Sequence, residues 1–314
     1  MQKQKNSNIN AWKPISEGRL SFLLSTSAPQ LIQAQPNPQK SPISKNMSTK
    51  ESETHPEKTR KVVVITGGAK GIGRCLVEHF AHKGDRVHFI DQDAEAAAMT
   101  GDQLRKQGMD VHEYVGNIAD EQTLRDFASS VLKENPTGIH CLINNACLTR
   151  RGILSGCDYE DFLYVLRVGV AAPYLLARLF KDHFVGLGSI VNVSSTRAFQ
   201  SQPDTESYTA AKGGITALTH ALAVSLAGIA RVNAIAPGWV DANPTQDTPP
   251  YSTGDMKQHP SMRVGRPQDI ARTADFLCDG HNNFINGQCL IVDGGMSKLM
   301  VYHNDCGWAY HPEE

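Results

Sequence analysis

The chain has 314 residues, of which 40% are hydrophobic, 20% charged and 7% aromatic, with a formal net charge of −1. That near-neutral balance excludes a strongly basic nucleic-acid-binding surface, and no apolar run approaches the ~20 residues needed to cross a bilayer. Seven cysteines, an odd number without a C-x-x-C pair, argue against both a disulfide framework and a zinc ribbon.

Residues 1–58 differ in composition from the rest. Between positions 1 and 46, six basic side chains (Lys3, Lys5, Lys13, Arg19, Lys40, Lys45) stand against one acid, Glu17, in a stretch rich in Ser, Gln, Asn and Pro. Such a segment buries too little apolar surface to offset its ordering entropy and is expected to be a disordered extension. The expected compartment is cytoplasmic, with Cys141 and Cys289 as small core residues in reducing surroundings. An organelle is the alternative, should residues 1–46 act as a transit peptide.

From Lys61 onward, apolar runs alternate with helix-length amphipathic stretches. Val62 to Ile65 reads as a parallel strand buried on both faces, followed by a glycine-rich turn and a helix with Ile72, Leu76 and Phe80 on one stripe. Further strands are expected at Val87 to Ile90, Cys141 to Ile143, Ile190 to Val193, Val232 to Ile235 and Cys289 to Val292. Helical patterns lie between them, most clearly Ile215, Leu218, Leu222 and Leu226. Strand–helix alternation of this kind predicts an α/β fold in residues 59–314: one doubly wound parallel sheet with helices on both faces.

The first turn reads Thr66-Gly67-Gly68-Ala69-Lys70-Gly71-Ile72-Gly73. Glycines here let the backbone approach a pyrophosphate, and the following helix offers free N–H groups and its positive dipole end. The second strand ends in Asp91, 18 residues after Gly73. An acid there accepts from ribose hydroxyls and repels a 2′-phosphate, favouring NAD over NADP. A helix-capping role for Asp91 is the rival reading, and Lys70 and Arg74 are the groups that would draw a phosphate.

A second constellation lies in Ser207-Tyr208-Thr209-Ala210-Ala211-Lys212, where Tyr208 and Lys212 share one helix face. A free tyrosine titrates near ~10, and a neighbouring ammonium with an oxidised nicotinamide favours the phenolate that proton exchange with an alcohol needs. Ser195 ends a strand thirteen residues before Tyr208, where a hydroxyl points into the ligand crevice of a doubly wound sheet. Ser194 is expected to point the other way.

These residues identify a resemblance to the short-chain dehydrogenase/reductase family, in its branch of about 250 residues with a Rossmann-like sheet. It runs from about Lys61 to Gly295 and rests on motifs in order: Thr66-Gly67 through Gly71-Ile72-Gly73, Asn144-Asn145-Ala146, Ser195, Tyr208 with Lys212, Pro237-Gly238 and Val292-Asp293-Gly294-Gly295. The stretch Arg263 to Ala271 resembles the family's helix before the last strand. The resemblance implies an NAD(P)-dependent oxidoreductase acting on a small alcohol or ketone. Tyr208 would be the general acid/base, Lys212 would hold the nicotinamide ribose, and Ser195 would orient the reacting oxygen. Cofactor contacts would also come from Thr66, Gly67, Gly71, Ile72, Gly73, Asp91, Asn117, Ile118, Asn145, Ala146, Pro237, Gly238 and Val240.

Four positions depart from the family pattern: Cys147 for a Gly, Asn117 for an Asp, Gly169 for an Asn that helps hold a relay water, and Ala242 for a Thr. They sustain the alternative of a low-activity dinucleotide-binding regulator on the same fold. Substrate identity is expected to come from about Trp239 to Met262, which contains Asn243-Pro244, Pro249-Pro250 and Gly254, with Trp239 and Tyr251 as apolar contacts. No H-E-x-x-H or carboxylate–His grouping argues for metal. By resemblance, a homodimer or homotetramer is expected, packed through about 158–183 and 206–228. The tail after Gly295, with Met300, Tyr302, Trp308 and Tyr310, is expected to pack against a neighbour.

Overall fold

The structure, a computed structural model, describes residues 60–242, 251–302 and 305. Segment 1–58, Asn243-Pro244, Pro249-Pro250, Trp308 and Tyr310 lie outside the described residues. The elements run β1 (Val62–Thr66), α1 (Gly71–His82), β2 (Arg86–Asp91), α2 (Ala94–Lys106), β3 (Val111–Val115), α3 (Glu121–Glu134), β4 (Ile139–Asn144) and α4 (Tyr159–Leu166). After a π-turn at Arg167–Ala171 come α5 (Ala172–Phe180), β5 (Phe184–Val193), α6 (Glu206–Ser225), β6 (Ala230–Pro237), α7 (Thr253–Lys257), α8 (Pro267–Cys278) and β7 (Cys289–Val292).

All seven strands pair in parallel in the order β3-β2-β1-β4-β5-β6-β7. The chain steps outward from β1 to β3, then returns to place β4 on the other side of β1. Where the direction reverses, a crevice opens beyond the carboxyl ends of β1 and β4. The pleat sends Val63 and Ile65 into one core with Leu76, Phe80, Leu104, Ile270 and Leu277, and Val64 into the other with Phe127, Leu176, Phe180 and Leu222. Helices α1, α2 and α8 therefore cover one face, and α3, α5 and α6 the other.

All six expected strands are present, β7 with the same bounds and β5 extended back to Phe184. β3 was not expected: its sequence VHEYV is mostly half-buried, because an edge strand lacks the continuous apolar run of its neighbours. Asp93, not Asp91, caps α2, accepting from the Ala96 N–H at 3.0 Å. The helical run Tyr159–Phe180 is long and apolar enough to cross a membrane by length and composition, contrary to the expectation that no run comes close. Its α5 half buries Leu176, Ala177 and Phe180 against the sheet, the role of a core helix.

The sheet edge also brings together a histidine–carboxylate group that the sequence pattern did not show: His88, His112 and Glu134. His112 meets Asp110 at 2.6 Å and Glu134 at 3.1 Å, while its ring stacks on His88 at 4.6 Å between centroids and 19° between planes. Nearly parallel rings run their in-plane lone pairs side by side instead of converging them on an ion, so the cluster reads as an ion-pair network. Burial, helped by the neighbouring His112 and Arg86 charges, pushes the His88 imidazole from 6.5 down to about 4. The fold thus holds His88 neutral where the unfolded chain would protonate it, so this contribution is present above pH 6.5 and is lost as pH falls toward 4. Chemical denaturation should show about 2.5 kcal/mol of it lost between roughly pH 7 and 4.5. His88→Gln should flatten that limb, and an unchanged slope would contradict the assignment.

Candidate active site

Parallel pairing puts the turn after β1 next to the segment after β4. Thr66, only 2% exposed, accepts from the Asn145 and Ala146 N–H groups at 3.0 and 3.1 Å. Asn145 returns the tie, its Nδ2 donating to the Thr66 and Gly67 carbonyls at 3.0 Å each. A Cβ on Gly73 would lie 1.7 Å from the Gly67 carbonyl oxygen, so only glycine lets α1 start this close to the turn. α1 begins at Gly71 with no side-chain cap and no acid in its first turn, whereas Asp93, Asp120 and Asp158 cap α2, α3 and α4. Its first N–H donors are therefore left to a ligand.

In front of that helix end lies a cavity of about 420 Å³. Of the expected cofactor residues, Gly67, Ile72, Gly73, Asp91, Asn117, Ile118, Asn145 and Ala146 line it. Asp91 Oδ2 accepts from the Ala69 N–H at 3.0 Å and Oδ1 from the Asp93 N–H at 3.1 Å, which fixes the carboxylate on the cavity wall. Lys70 pairs with Asp93 at 2.5 Å, and Arg74 with Glu78 and Gln103 at 2.8 Å each. Tyr164, which carried no sequence signal, joins the wall and donates from its hydroxyl to Asn117 Oδ1 at 3.2 Å. That oxygen also accepts from the Ala119 N–H at 3.0 Å, so the Asn117 amide keeps its NH₂ for the cavity.

A second cavity, of about 840 Å³, lies at the ends of β5 and β6, and Thr149, Ser195, Tyr208, Gly238 and Val240 are among the residues that line it. Thr66, Gly71, Pro237 and Lys212 line neither cavity. Thr66 ties the loops, Gly71 packs toward Ala242, Pro237 sits in the β6–β7 ladder opposite Val292, and Lys212 stands behind Tyr208. Lys212 is only 4% exposed; its ammonium donates to the Val193 carbonyl at 2.7 Å and lies 5.5 Å from the Tyr208 ring centroid. Ser195 Oγ accepts from the Arg197 N–H at 3.1 Å, which leaves its own proton free to donate. Ser194 faces away as expected, bonded to the Lys212 carbonyl and Thr216.

Behind these groups, Asn144 Nδ2 donates to Asn192 Oδ1 at 2.8 Å, and Asn192 Nδ2 to Thr219 Oγ1 at 2.9 Å. This buried chain locks β4, β5 and α6 in register. Its only sequence signal is an Asn ending the β4 run and another within the apolar run of β5. Trp239 lines the second cavity, while Tyr251 packs edge-on against it at 6.0 Å and gives its hydroxyl to Asp241. Met296, from the tail expected to serve a neighbour, lines the same cavity.

A family profile described as enoyl-(acyl carrier protein) reductase matches residues 67–297. The chain belongs to the short-chain dehydrogenase/reductase family. An uncharacterized oxidoreductase of Thermotoga maritima is 39% identical over 251 residues, 77% of this chain and 98% of that protein. An apo SCOR enzyme from Clostridium thermocellum is 43% identical, with a TM-score of 0.74 over 81% of this chain and 99% of that one. A gluconate 5-dehydrogenase from Burkholderia cenocepacia, solved with NADP and tartrate, is 27% identical, with a TM-score of 0.68 over 76% and 96% of the two chains.

This short-chain dehydrogenase/reductase meets its departures from the family pattern in different ways. Cys147 is exposed on the wall of the first cavity, and Ala242 sits on the same wall facing Gly71. Gly169 lies in the π-turn, where a Cβ would come 2.8 Å from Ala211 Cβ. The first carbon of any side chain at this position would therefore press on Ala211 of α6. Gly169→Ala should overpack this contact and destabilise the protein by about 1–3 kcal/mol in chemical denaturation. In an Ala211→Gly background the same change should cost less than half as much, and full additivity would contradict the contact.

Proposed function

We propose that this protein is an NAD-dependent oxidoreductase interconverting a small alcohol and its ketone, with Tyr208 as general acid/base. The observation that carries the reading is that Ser195 and Tyr208 face one cavity, with the Lys212 ammonium 5.5 Å from the phenol ring. Ser195 donates its free proton to the substrate oxygen and holds it beside Tyr208, which exchanges that oxygen's proton. Lys212 has spent one of its three donors on Val193 and keeps two for ribose hydroxyls. When bound, the dinucleotide supplies hydride acceptance or donation at the nicotinamide ring.

Asp91 supports NAD. Both its oxygens are oriented by backbone N–H groups, each with a lone pair left for a ribose hydroxyl, and its charge opposes a 2′-phosphate. Lys70 and Arg74 already hold acidic partners. For assembly, a second copy of the chain is assigned to the outer face of α4, the π-turn, α5 and α6, where Leu163, Leu166, Val170, Tyr174 and Leu218 line an apolar groove of about 460 Å³.

The test is oxidation of NADH and NADPH with a panel of small ketones, comparing wild type with Tyr208→Phe. The variant should be slower by about 10²–10⁴-fold, with NADH preferred over NADPH in the wild type. Equal rates in the two proteins would favour the regulator on the same fold, and a preference for NADPH would overturn the cofactor assignment. Light scattering should report a dimer or tetramer; a monomer would contradict the assigned face.

A further inference from the structure

The second cavity holds one charged residue among the described residues that line it, Arg197. This side chain is placed from both ends. Its backbone N–H donates to Ser195 Oγ at 3.1 Å, and its guanidinium carbon lies 5.8 Å from the Tyr208 ring centroid. It sits in the 3₁₀ turn Thr196–Ala198 and reaches toward the start of α6, donating to Thr205 Oγ1 at 3.1 Å and to Gln202 Oε1. Both acceptors are neutral, and among the described residues no carboxylate lies within ion-pair distance of the guanidinium. Those two bonds hold the planar fork in place and leave further N–H donors for a ligand.

The rest of the wall is rich in neutral hydrogen-bonding side chains: Thr149, Gln200, Ser201 and Gln258 alongside Gln202 and Thr205. A cavity built for a steroid or a long acyl chain would be lined mainly by apolar groups. Here Trp239, Val240 and Met296 supply a smaller apolar side. A half-buried guanidinium with no acidic partner among the described residues is an anion receptor, and carboxylate matches its fork in a bidentate pair. One cation compensates one negative charge, which favours a carboxylate over a doubly charged phosphate.

Resting on the oxidoreductase reading above, we propose that the substrate is a polyhydroxylated monocarboxylate whose carboxylate is bound by Arg197, within a few bonds of the carbinol carbon presented to Ser195 and Tyr208. The Gln, Ser and Thr side chains take its remaining hydroxyls. In the oxidative direction the carbinol C–H bond breaks with its electron pair passing to the nicotinamide ring of NAD. The O–H proton goes to Tyr208 and on to solvent, and the carbinol becomes a ketone. Arg197 is thereby the specificity-determining residue, because it binds the acid and has no equivalent interaction with the corresponding neutral polyol.

The experiment measures NAD reduction with aldonates of three to six carbons, each paired with the alditol of the same stereochemistry, for wild type, Arg197→Met and Arg197→Lys. Wild type should prefer the acid in kcat/KM by about 10²-fold or more, the scale of a charge-assisted bidentate contact. Arg197→Met should collapse that preference to within about tenfold, chiefly through KM, and Arg197→Lys, which keeps the charge and loses the fork, should fall between. An alditol used as well as its aldonate, or an acid preference that survives Arg197→Met, overturns the proposal. Turnover of neutral alcohols with none of any aldonate also overturns it and leaves the oxidoreductase reading standing. No turnover of any alcohol or acid above the Tyr208→Phe background overturns both.

Discussion

The site depends on one hydrogen bond, from the Lys212 ammonium on α6 to the Val193 carbonyl at the end of β5. A buried ammonium is costly unless its charge finds oxygen partners, so this lysine fixes where its helix can sit. Val193 lies two residues before Ser195, and Tyr208 lies one helical turn before Lys212. The same bond therefore sets the tyrosine against the serine. The Asn144–Asn192–Thr219 chain reinforces it from beneath, because three elements share one line of buried amide and hydroxyl contacts. A directional chain of buried polar contacts specifies register in a way that apolar packing alone does not, even with Asn144 Oδ1 left without a partner.

The parallel sheet then divides the crevice into two chambers of different character. At the reversal between β1 and β4, an uncapped helix and glycine backbone leave N–H donors free, and Asp91 closes the far end. In the other chamber, the described wall sets neutral hydrogen-bonding side chains and a smaller apolar side around one guanidinium. Ser195 and Tyr208 belong to the second chamber, on the side facing β6. Function thus comes from side chains at strand ends, while the central strands are buried on both faces and carry stability.

Much of this was legible in the sequence, for identifiable reasons. The central strands β1, β2, β4, β5 and β6 read as largely apolar runs and stood out, as did the edge strand β7 because its sequence CLIV is wholly apolar; glycine turns and the Tyr208–Lys212 spacing mark themselves by residue type. β3 escaped because an edge strand is only half buried and carries His112 and Glu113. Tyr164, Arg197 and Met296 escaped because their meaning comes from tertiary position: each reaches a cavity wall from a separate part of the chain. Gly169 was visible as a departure, but only the packed structure reveals that Ala211 occupies the space its side chain would need.

The central claim is that the two chambers form one site in which a dinucleotide bound at the glycine turn places its nicotinamide beside Tyr208. A crystal structure of the protein soaked with NADH tests it most directly. The account predicts the pyrophosphate at the start of α1, ribose hydroxyls on Asp91 and on the Lys212 ammonium, and the nicotinamide ring facing Ser195 Oγ and Tyr208 Oη across a gap that fits one substrate carbon and its oxygen. A dinucleotide bound elsewhere, or a nicotinamide ring turned away from the Tyr208 hydroxyl, would contradict it.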